Sequence, residues 1–146
     1  MGILSSTEII TEQGVSPGPE MPKRVYTHAI ASVNETTSIL TGGHSPGGGV
    51  MEKTWFFCHV SQQFQKGPSL ITARRFHASG TIQDKVTMEN IVAVFGGFKG
   101  TTPDAYLDSV ELLINGESEW QQGKISCKIL KNVRLFSSIV SGFFLI

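Results

Sequence analysis

Two glycine pairs, each closing a short apolar run, constrain the fold of this chain more than any other feature. Gly96 and Gly97 follow the apolar residues 91–95, and a weaker copy, Gly42 and Gly43, follows residues 39–41. Short apolar runs that end in glycine are typical of buried strands, and the glycines permit a sharp turn or a close approach of two backbones. Two such features in one chain predict an internal repeat.

Other features recur with the glycine pairs, at spacings of about fifty residues. His28 and His77 lie 49 positions apart, each ten positions after the glycine of a Gly-Pro pair. The glycine pairs lie 54 positions apart, and Phe64 and Trp120 lie 56 apart. The growing spacing indicates insertions in loops, while the order of the features is kept. Repeats of this length are typical of solenoids, propellers and arrays.

The order of features resembles the kelch repeat. The second copy has a basic segment before a histidine, an apolar strand with a glycine pair, a further strand and a tryptophan, in residues 74–77, 91–97, 107–113 and 119–120. The first copy has Phe64 at the tryptophan position, and its basic residue, Arg24, comes one place early. The resemblance covers nearly the whole chain. It implies an all-β fold, a partial kelch-type β-propeller built of four-stranded antiparallel blades.

The repeat predicts the following organisation. Residues 1–22 end a preceding blade, 23–70 form the first repeat, 73–123 form the second, and 124–146 begin a third blade or form an unrelated tail. The predicted strands of the first repeat are residues 26–33, 38–41, 54–60 and a segment around Phe64, with a flexible glycine loop at 44–49. Those of the second are residues 76–83, 90–95, 106–114 and 119–122, with a tight turn at Asn115 and Gly116.

Two blades do not close a ring, because propellers typically have four to eight. The sequence is therefore predicted to be a piece of a longer propeller, and self-association through exposed blade faces is the alternative. Phe64 and Trp120 are expected to fill the gap between neighbouring blades. These two residues complete the structural repeat signature, whose other members are His28, His77, Gly42, Gly43, Gly96 and Gly97.

The kelch resemblance implies a protein-binding platform without catalysis, its partner unidentified. Loop residues at one end of the blades are the candidate contacts, namely Arg74, Arg75, His44 and Lys99. The simpler interpretation of the two arginines and Lys99 is that they are solvated loop charges. Two alternatives remain. One is part of a catalytic propeller similar to the copper radical oxidases, and the other is a truncated gene product without independent function.

Charge and motifs exclude several other classes. Lys plus Arg and Asp plus Glu each number 12, so no net field attracts nucleic acid or an anionic membrane. No apolar run approaches the roughly 20 residues of a membrane-spanning helix. The N-terminus lacks the pattern of a signal peptide, which favours an intracellular location. Residues 47–49 are glycines without the Gly-Lys-Ser/Thr of a phosphate-binding loop, and no cofactor is predicted.

The remaining reactive residues have a structural interpretation. The four histidines show no metal-ligand spacing, and His28 and His77 occupy equivalent positions that a repeat explains without a ligand. Cys58 and Cys127 are expected to pack as thiols, with a disulfide or a reactive thiol as the alternative. Residues 34–36 form an Asn-Glu-Thr sequon, here interpreted as a turn.

Overall fold

The computed structural model describes residues 4–100, 102 and 105–123. This part of the chain is all-β, as the sequence predicts. Its strands are β1 (Glu8–Thr11), β2 (Gly14–Pro17), β3 (Ala29–Asn34), β4 (Thr37–Thr41), β5 (His44–Ser45), β6 (Gly49–Val50), β7 (Thr54–Cys58), β8 (Gln63–Lys66), β9 (Ala78–Gln83), β10 (Asn90–Phe95), β11 (Val110–Ile114) and β12 (Gln121–Gly123).

Eight of these strands form two four-stranded antiparallel sheets with the same topology. The first sheet has the order β3-β4-β7-β8, and the second has the order β9-β10-β11-β12. Each sheet is a meander in which strands that follow one another along the chain pair. In the first sheet, the separate β5–β6 hairpin is inserted between β4 and β7. The glycine pairs follow the second strand of each sheet, so they hold matching places in two copies of one architecture.

Local chemistry fixes the turns. Asn115 and Gly116 between β11 and β12 both have positive φ, 47° and 72°, as a type I′ turn requires. The Asp84 carboxylate accepts the backbone N–H groups of Val86 and Thr87 at 2.7 and 3.0 Å, which shapes the longer turn between β9 and β10. Turns of both kinds were predicted at these places.

Five strands are shorter than predicted. β7 ends at Cys58 rather than residue 60, and β12 covers Gln121–Gly123 rather than residues 119–122. The other three begin late. β3 begins at Ala29 rather than residue 26, and β9 begins at Ala78 rather than residue 76. The reason is a left-handed residue in front of each, Thr27 with φ 57° and Phe76 with φ 52°, because an extended strand cannot include that conformation. β11 begins at Val110 because residue 106 forms an isolated bridge to Phe98 instead.

The predicted flexible loop at residues 44–49 forms a small hairpin instead. His44 pairs with Val50 and Ser45 with Gly49. Gly47 and Gly49 have φ of 70° and 74°, so they provide the tight reversal.

The β1–β2 hairpin repeats the β7–β8 hairpin in atomic detail. The Thr7 hydroxyl donates to the carbonyl of Pro19 at 2.6 Å, and the Thr54 hydroxyl donates to that of Pro68 at 2.7 Å. The glycine before each proline donates its N–H back to the carbonyl of the same threonine. Strands β1 and β2 therefore correspond to the third and fourth strands of the complete sheets.

The main core lies between the two sheets. It is formed by buried side chains from strands and connectors of both, namely Ala31, Val33, Ile39, Leu70, Val92, Val94, Leu113 and Trp120. Val92, Ala93 and Val94 are all buried, so the middle of β10 is apolar on both faces and its sequence does not alternate. Hydrogen bonds also cross between the sheets, from the Thr81 hydroxyl to Ser32 and from the Asn90 amide to Val33.

The predictions for residues 124–146, including the third blade and Cys127, lie outside the described residues. Within the described part, no helix is long and apolar enough to cross a membrane.

Candidate functional site

Both glycine pairs lie at one end of the sheets, called here the glycine-pair end. All four glycines have positive φ, between 57° and 99°. A Cβ on Gly97 would lie 2.6 Å from the Arg75 carbonyl, and one on Gly43 would lie 2.8 Å from the Tyr26 carbonyl. Both backbone reasons predicted for the glycines, left-handed conformation and close approach, are therefore confirmed.

The two repeated histidines lie directly in front of β3 and β9 at this end. His77 is 8 % exposed, and its Nε2 lies 2.8 Å from the Thr41 hydroxyl of the first sheet. The pKa of His77 is lowered to about 4. Burial is the largest cause, followed by the positive charge of Arg74 and then by His28. Burial also lowers the pKa of His28. His77 is therefore a neutral link between the sheets at pH 7.

Arg74 was predicted in an exposed loop, either as a partner contact or as a solvated charge, and this placement is wrong. Its side chain is completely buried, and its guanidinium lies 2.5 Å from the equally buried carboxylate of Glu111. The same guanidinium donates to the carbonyls of Gly96 and Ser109, at 2.9 and 3.2 Å, and to the Ser109 hydroxyl. A buried charge needs such partners, because an unpaired one costs several kcal/mol.

Glu111 also anchors the segment that leads into the second sheet. Its carboxylate accepts the backbone N–H groups of Ile71 and Thr72, at 2.6 and 3.0 Å, in addition to Arg74. Carboxylates that accept several N–H donors are held firmly in place. The connector between β8 and β9 is therefore tied to the middle of the sheet that follows it.

The first sheet fills the same place with apolar side chains. Val25 and Trp55 lie 49 and 56 positions before Arg74 and Glu111, at the spacings of the repeat. Both are buried and form a cluster with Met51, against which Met21 and the half-buried Phe64 pack. The repeat therefore preserves the architecture at this position but not its chemistry.

Exposed aromatic rings collect at the glycine-pair end of the second sheet. Phe76 and Tyr106 are 60 % and 68 % exposed, and Phe98 lies between them with ring centroids at 6.1 and 4.3 Å. The guanidinium of Arg75 lies 5.5 Å from the centre of the Phe76 ring, a cation–π distance. These four residues, Arg75, Phe76, Phe98 and Tyr106, are called here the aromatic end surface.

The backbone holds this surface in an unusual conformation. Phe76 has φ of 52°, a region that costs a non-glycine residue roughly 1 kcal/mol or more. Its N–H donates to the carbonyl of Thr27, which has the equivalent conformation one repeat earlier. Strain of this kind is found preferentially at functional sites, where surrounding structure maintains it.

The other predicted loop residues also lie at the glycine-pair end. Arg75 is partly buried and donates from its guanidinium to the Gly100 carbonyl at 3.1 Å. The backbone N–H of Lys99 donates to the Ala105 carbonyl, and this residue is exposed. The ring of His44 packs against that of Tyr26, with centroids 5.0 Å apart and planes tilted by 44°.

Sequence reasoning missed the three aromatic members of the surface. Phe76 and Tyr106 were assigned to strands, and Phe98, directly after the second glycine pair, was given no role. One signal was available, because Phe98 lies directly after Gly97, where the backbone turns away from the sheet. Residues after such a turn belong to a loop and are therefore candidates for exposure.

The described residues include no group of three or more His, Cys, Asp or Glu side chains that could hold a metal ion. Neither a scan against protein-family models nor a search of curated proteins finds a match to this chain.

Proposed function

We propose that this chain is part of a kelch-type β-propeller and that its aromatic end surface binds a protein partner. The propeller interpretation is supported by the repeated four-stranded meander and by the glycine pair in the same place of each copy. The kelch assignment is supported by the order of the repeated residues, from the histidine to Trp120.

The single observation that carries the binding proposal is the exposure of Phe76 and Tyr106 beside Arg75. Aromatic and arginine side chains dominate the energy of protein interfaces because they bury a large area at little entropic cost. Two rings more than half exposed at neighbouring positions lack the burial that normally stabilises them. A partner would provide that burial.

The chemistry of the surface also defines the partner. The rings fit an apolar side chain, and the guanidinium of Arg75 fits a carboxylate next to it. We therefore infer that the partner contributes a peptide or loop with an apolar residue beside an acidic one. An isolated charge without an apolar neighbour would leave the rings in water.

The experiment is a peptide-display selection on the chain, followed by measurement of the Kd of selected peptides. Phe76→Ser and Tyr106→Ser are expected to weaken binding at least about tenfold each, as expected for interface hot spots. Val86→Ser is the matched control, because Val86 is 92 % exposed in the turn at the opposite end of the same sheet.

Three outcomes would contradict the proposal. Two are the selection of no peptide and peptide binding that both aromatic variants retain. Weakened binding in the Val86→Ser variant would equally show that the peptides do not recognise the aromatic end surface.

A further inference from the structure

Tyr106 is the tyrosine of this chain that an enzyme can reach from solution. Its side chain is 68 % exposed, and it begins the irregular connection 106–109 that leads into β11. Exposed connections of this kind are where functional residues concentrate, because the scaffold positions them without covering them. The chain contains one other tyrosine, Tyr26, which is half-buried with its ring against His44. Chemistry on a tyrosine hydroxyl is therefore expected at Tyr106.

The sequence around Tyr106 is acidic on both sides. Asp104 and Asp108 each lie two positions from it, and Asp108 is exposed. Kinases discriminate between substrates partly by such charge patterns. The segment therefore fits the substrate groove of a tyrosine kinase that is lined with basic side chains.

The guanidinium of Arg75 is placed near Tyr106 by the backbone. Phe98 forms antiparallel bridges with both Arg75 and Tyr106. Directly paired residues project their side chains to the same side, so the Cβ atoms of Arg75 and Tyr106 are two pairing steps apart, on the order of 10 Å. The guanidinium donates to the Gly100 carbonyl at 3.1 Å, and a Cβ on Gly100 would lie 3.4 Å from that of Ala105, directly before Tyr106. Two long side chains at this separation can meet.

Arg75 keeps donors for an anion. A guanidinium carries five N–H donors in a planar fork that matches the oxygens of a phosphate group. Arg75 gives one of them to Gly100, and its Nε has no partner among the described residues. Lys99, directly before Gly100, is exposed and adds a second cation to this loop. A phosphate at the end of Tyr106 would therefore find a partner within the same surface.

We propose that Tyr106 is a phosphorylation site and that its phosphate pairs with Arg75, which closes the aromatic end surface. A tyrosine kinase transfers the γ-phosphoryl group of ATP to the Tyr106 hydroxyl oxygen. The bond from that phosphorus to the leaving oxygen breaks, ADP leaves, and the phenol proton passes to the catalytic aspartate of the kinase. The product carries an additional charge of about −1.5 to −2 at neutral pH.

The phosphate acts on partner binding in two ways, and this part of the inference rests on the function proposed above. It occupies the Arg75 guanidinium that the carboxylate of the partner would otherwise bind. It also places a strongly hydrated charge among rings that an apolar side chain would cover. Phosphorylation is therefore expected to switch the surface from open to closed.

The modification is tested on the full chain with ATP, Mg²⁺ and a tyrosine kinase that accepts acidic substrates. Mass spectrometry of the intact chain is expected to show the addition of one phosphate group. Tyr106→Phe is expected to abolish this addition, and Tyr26→Phe, the matched control, is expected to retain it. Circular dichroism identifies any variant that fails to fold. A wild-type chain that gains no phosphate, or a Tyr106→Phe chain that still gains one, would overturn the inference.

The pairing with Arg75 has a readout that needs no partner. Phosphorus NMR follows the second ionisation of the phosphate, and a neighbouring cation shifts it to lower pH because it favours the dianion. Arg75→Gln is expected to move the midpoint back towards that of free phosphotyrosine. Lys85→Gln is the matched control, because Lys85 lies in the turn between β9 and β10, at the other end of the sheet. Equal midpoints in the wild type and Arg75→Gln would exclude the pairing.

The effect on binding is measured with the peptides selected above. The phosphorylated chain is expected to bind them at least about tenfold more weakly, and phosphatase treatment is expected to restore the original Kd. An unchanged Kd after phosphorylation would contradict closure of the surface. Selection of no peptide would refute the proposed function alone, since the mass and NMR measurements still decide whether Tyr106 is modified and paired with Arg75.

Discussion

At the scale of single residues, His77 links the two sheets through Thr41 and is kept neutral by its surroundings. Burial is the largest cause of its low pKa, and the nearby Arg74 acts in the same direction. A histidine in this position joins the sheets without adding a charge to a region that already holds a buried cation. Protonation of His77 is therefore linked to unfolding.

We predict that acid destabilises the chain partly through His77. The unfolded chain binds this proton near pH 6.5 and the folded chain only near pH 4, so the contribution of His77 is present at pH 7 and decreases as the pH falls between these values. Between pH 7 and pH 5 it amounts to roughly 2 kcal/mol. His77→Gln is expected to remove that part of the pH dependence in denaturant melts at both pH values. An equal slope in both proteins would contradict the prediction.

Arg74 shows the limit of sequence reasoning at this scale. Adjacent arginines next to a loop are normally interpreted as solvated charges, and Arg75 is indeed only partly buried. The burial of Arg74 depends on Glu111, which is 37 positions away and lies on a different strand. No local pattern distinguishes the two arginines, because the difference lies in a long-range contact.

At the scale of elements, the strands that could be predicted best are those that are buried on both faces. β10 was predicted with both ends correct, since its apolar run has polar residues before it and glycines after it. The starts of β3 and β9 were predicted too early because Thr27 and Phe76 favour strands by composition while tertiary contacts hold them left-handed. The fold class and the strand order followed from the repeat, and the exposed aromatic site did not.

The connector between the sheets depends on one ion pair, and we predict strong coupling within it. Arg74→Met leaves the Glu111 carboxylate buried without its cation and is expected to cost about 3 to 5 kcal/mol of unfolding free energy. Glu111→Gln leaves the guanidinium in the same condition. The double variant is expected to cost clearly less than the sum of the two, as measured by denaturant melts of all four proteins. Additive losses would indicate that the two groups do not stabilise each other.

At the scale of the whole molecule, Trp120 closes the core between the two sheets. It is 5 % exposed, and its indole N–H donates to the Pro68 carbonyl of the connector at 2.9 Å. The prediction that it fills the space between neighbouring sheets is confirmed. Phe64 holds the equivalent place before the first sheet, where it is only half-buried and contacts Phe57 at 4.8 Å between ring centroids.

Trp120→Ala is expected to destabilise the chain by roughly 3 to 5 kcal/mol, because it removes a large buried ring and leaves a cavity. Trp120→Phe keeps most of the ring and loses one hydrogen bond, so it is expected to lose about 1 kcal/mol from that bond. Phe64→Ala is the matched control and should cost less than Trp120→Ala. A Trp120→Ala loss below about 1 kcal/mol in denaturant melts would show that the ring is not essential to the core.

Equivalent positions of the two sheets hold different chemistry, Arg74 with Glu111 in the second and Val25 with Trp55 in the first. This difference affects which sheets can dock on each other during folding. Repeats with identical amino-acid sequences can dock on the wrong neighbour, which traps the chain in a misfolded state. Here a wrongly docked sheet would place the Arg74 guanidinium in the apolar cluster around Met51, or the Trp55 indole against an unpaired Glu111 carboxylate. Either error costs several kcal/mol. The side chains at these positions therefore differ between the two sheets, and each sheet docks on its correct neighbour because the wrong one is energetically excluded.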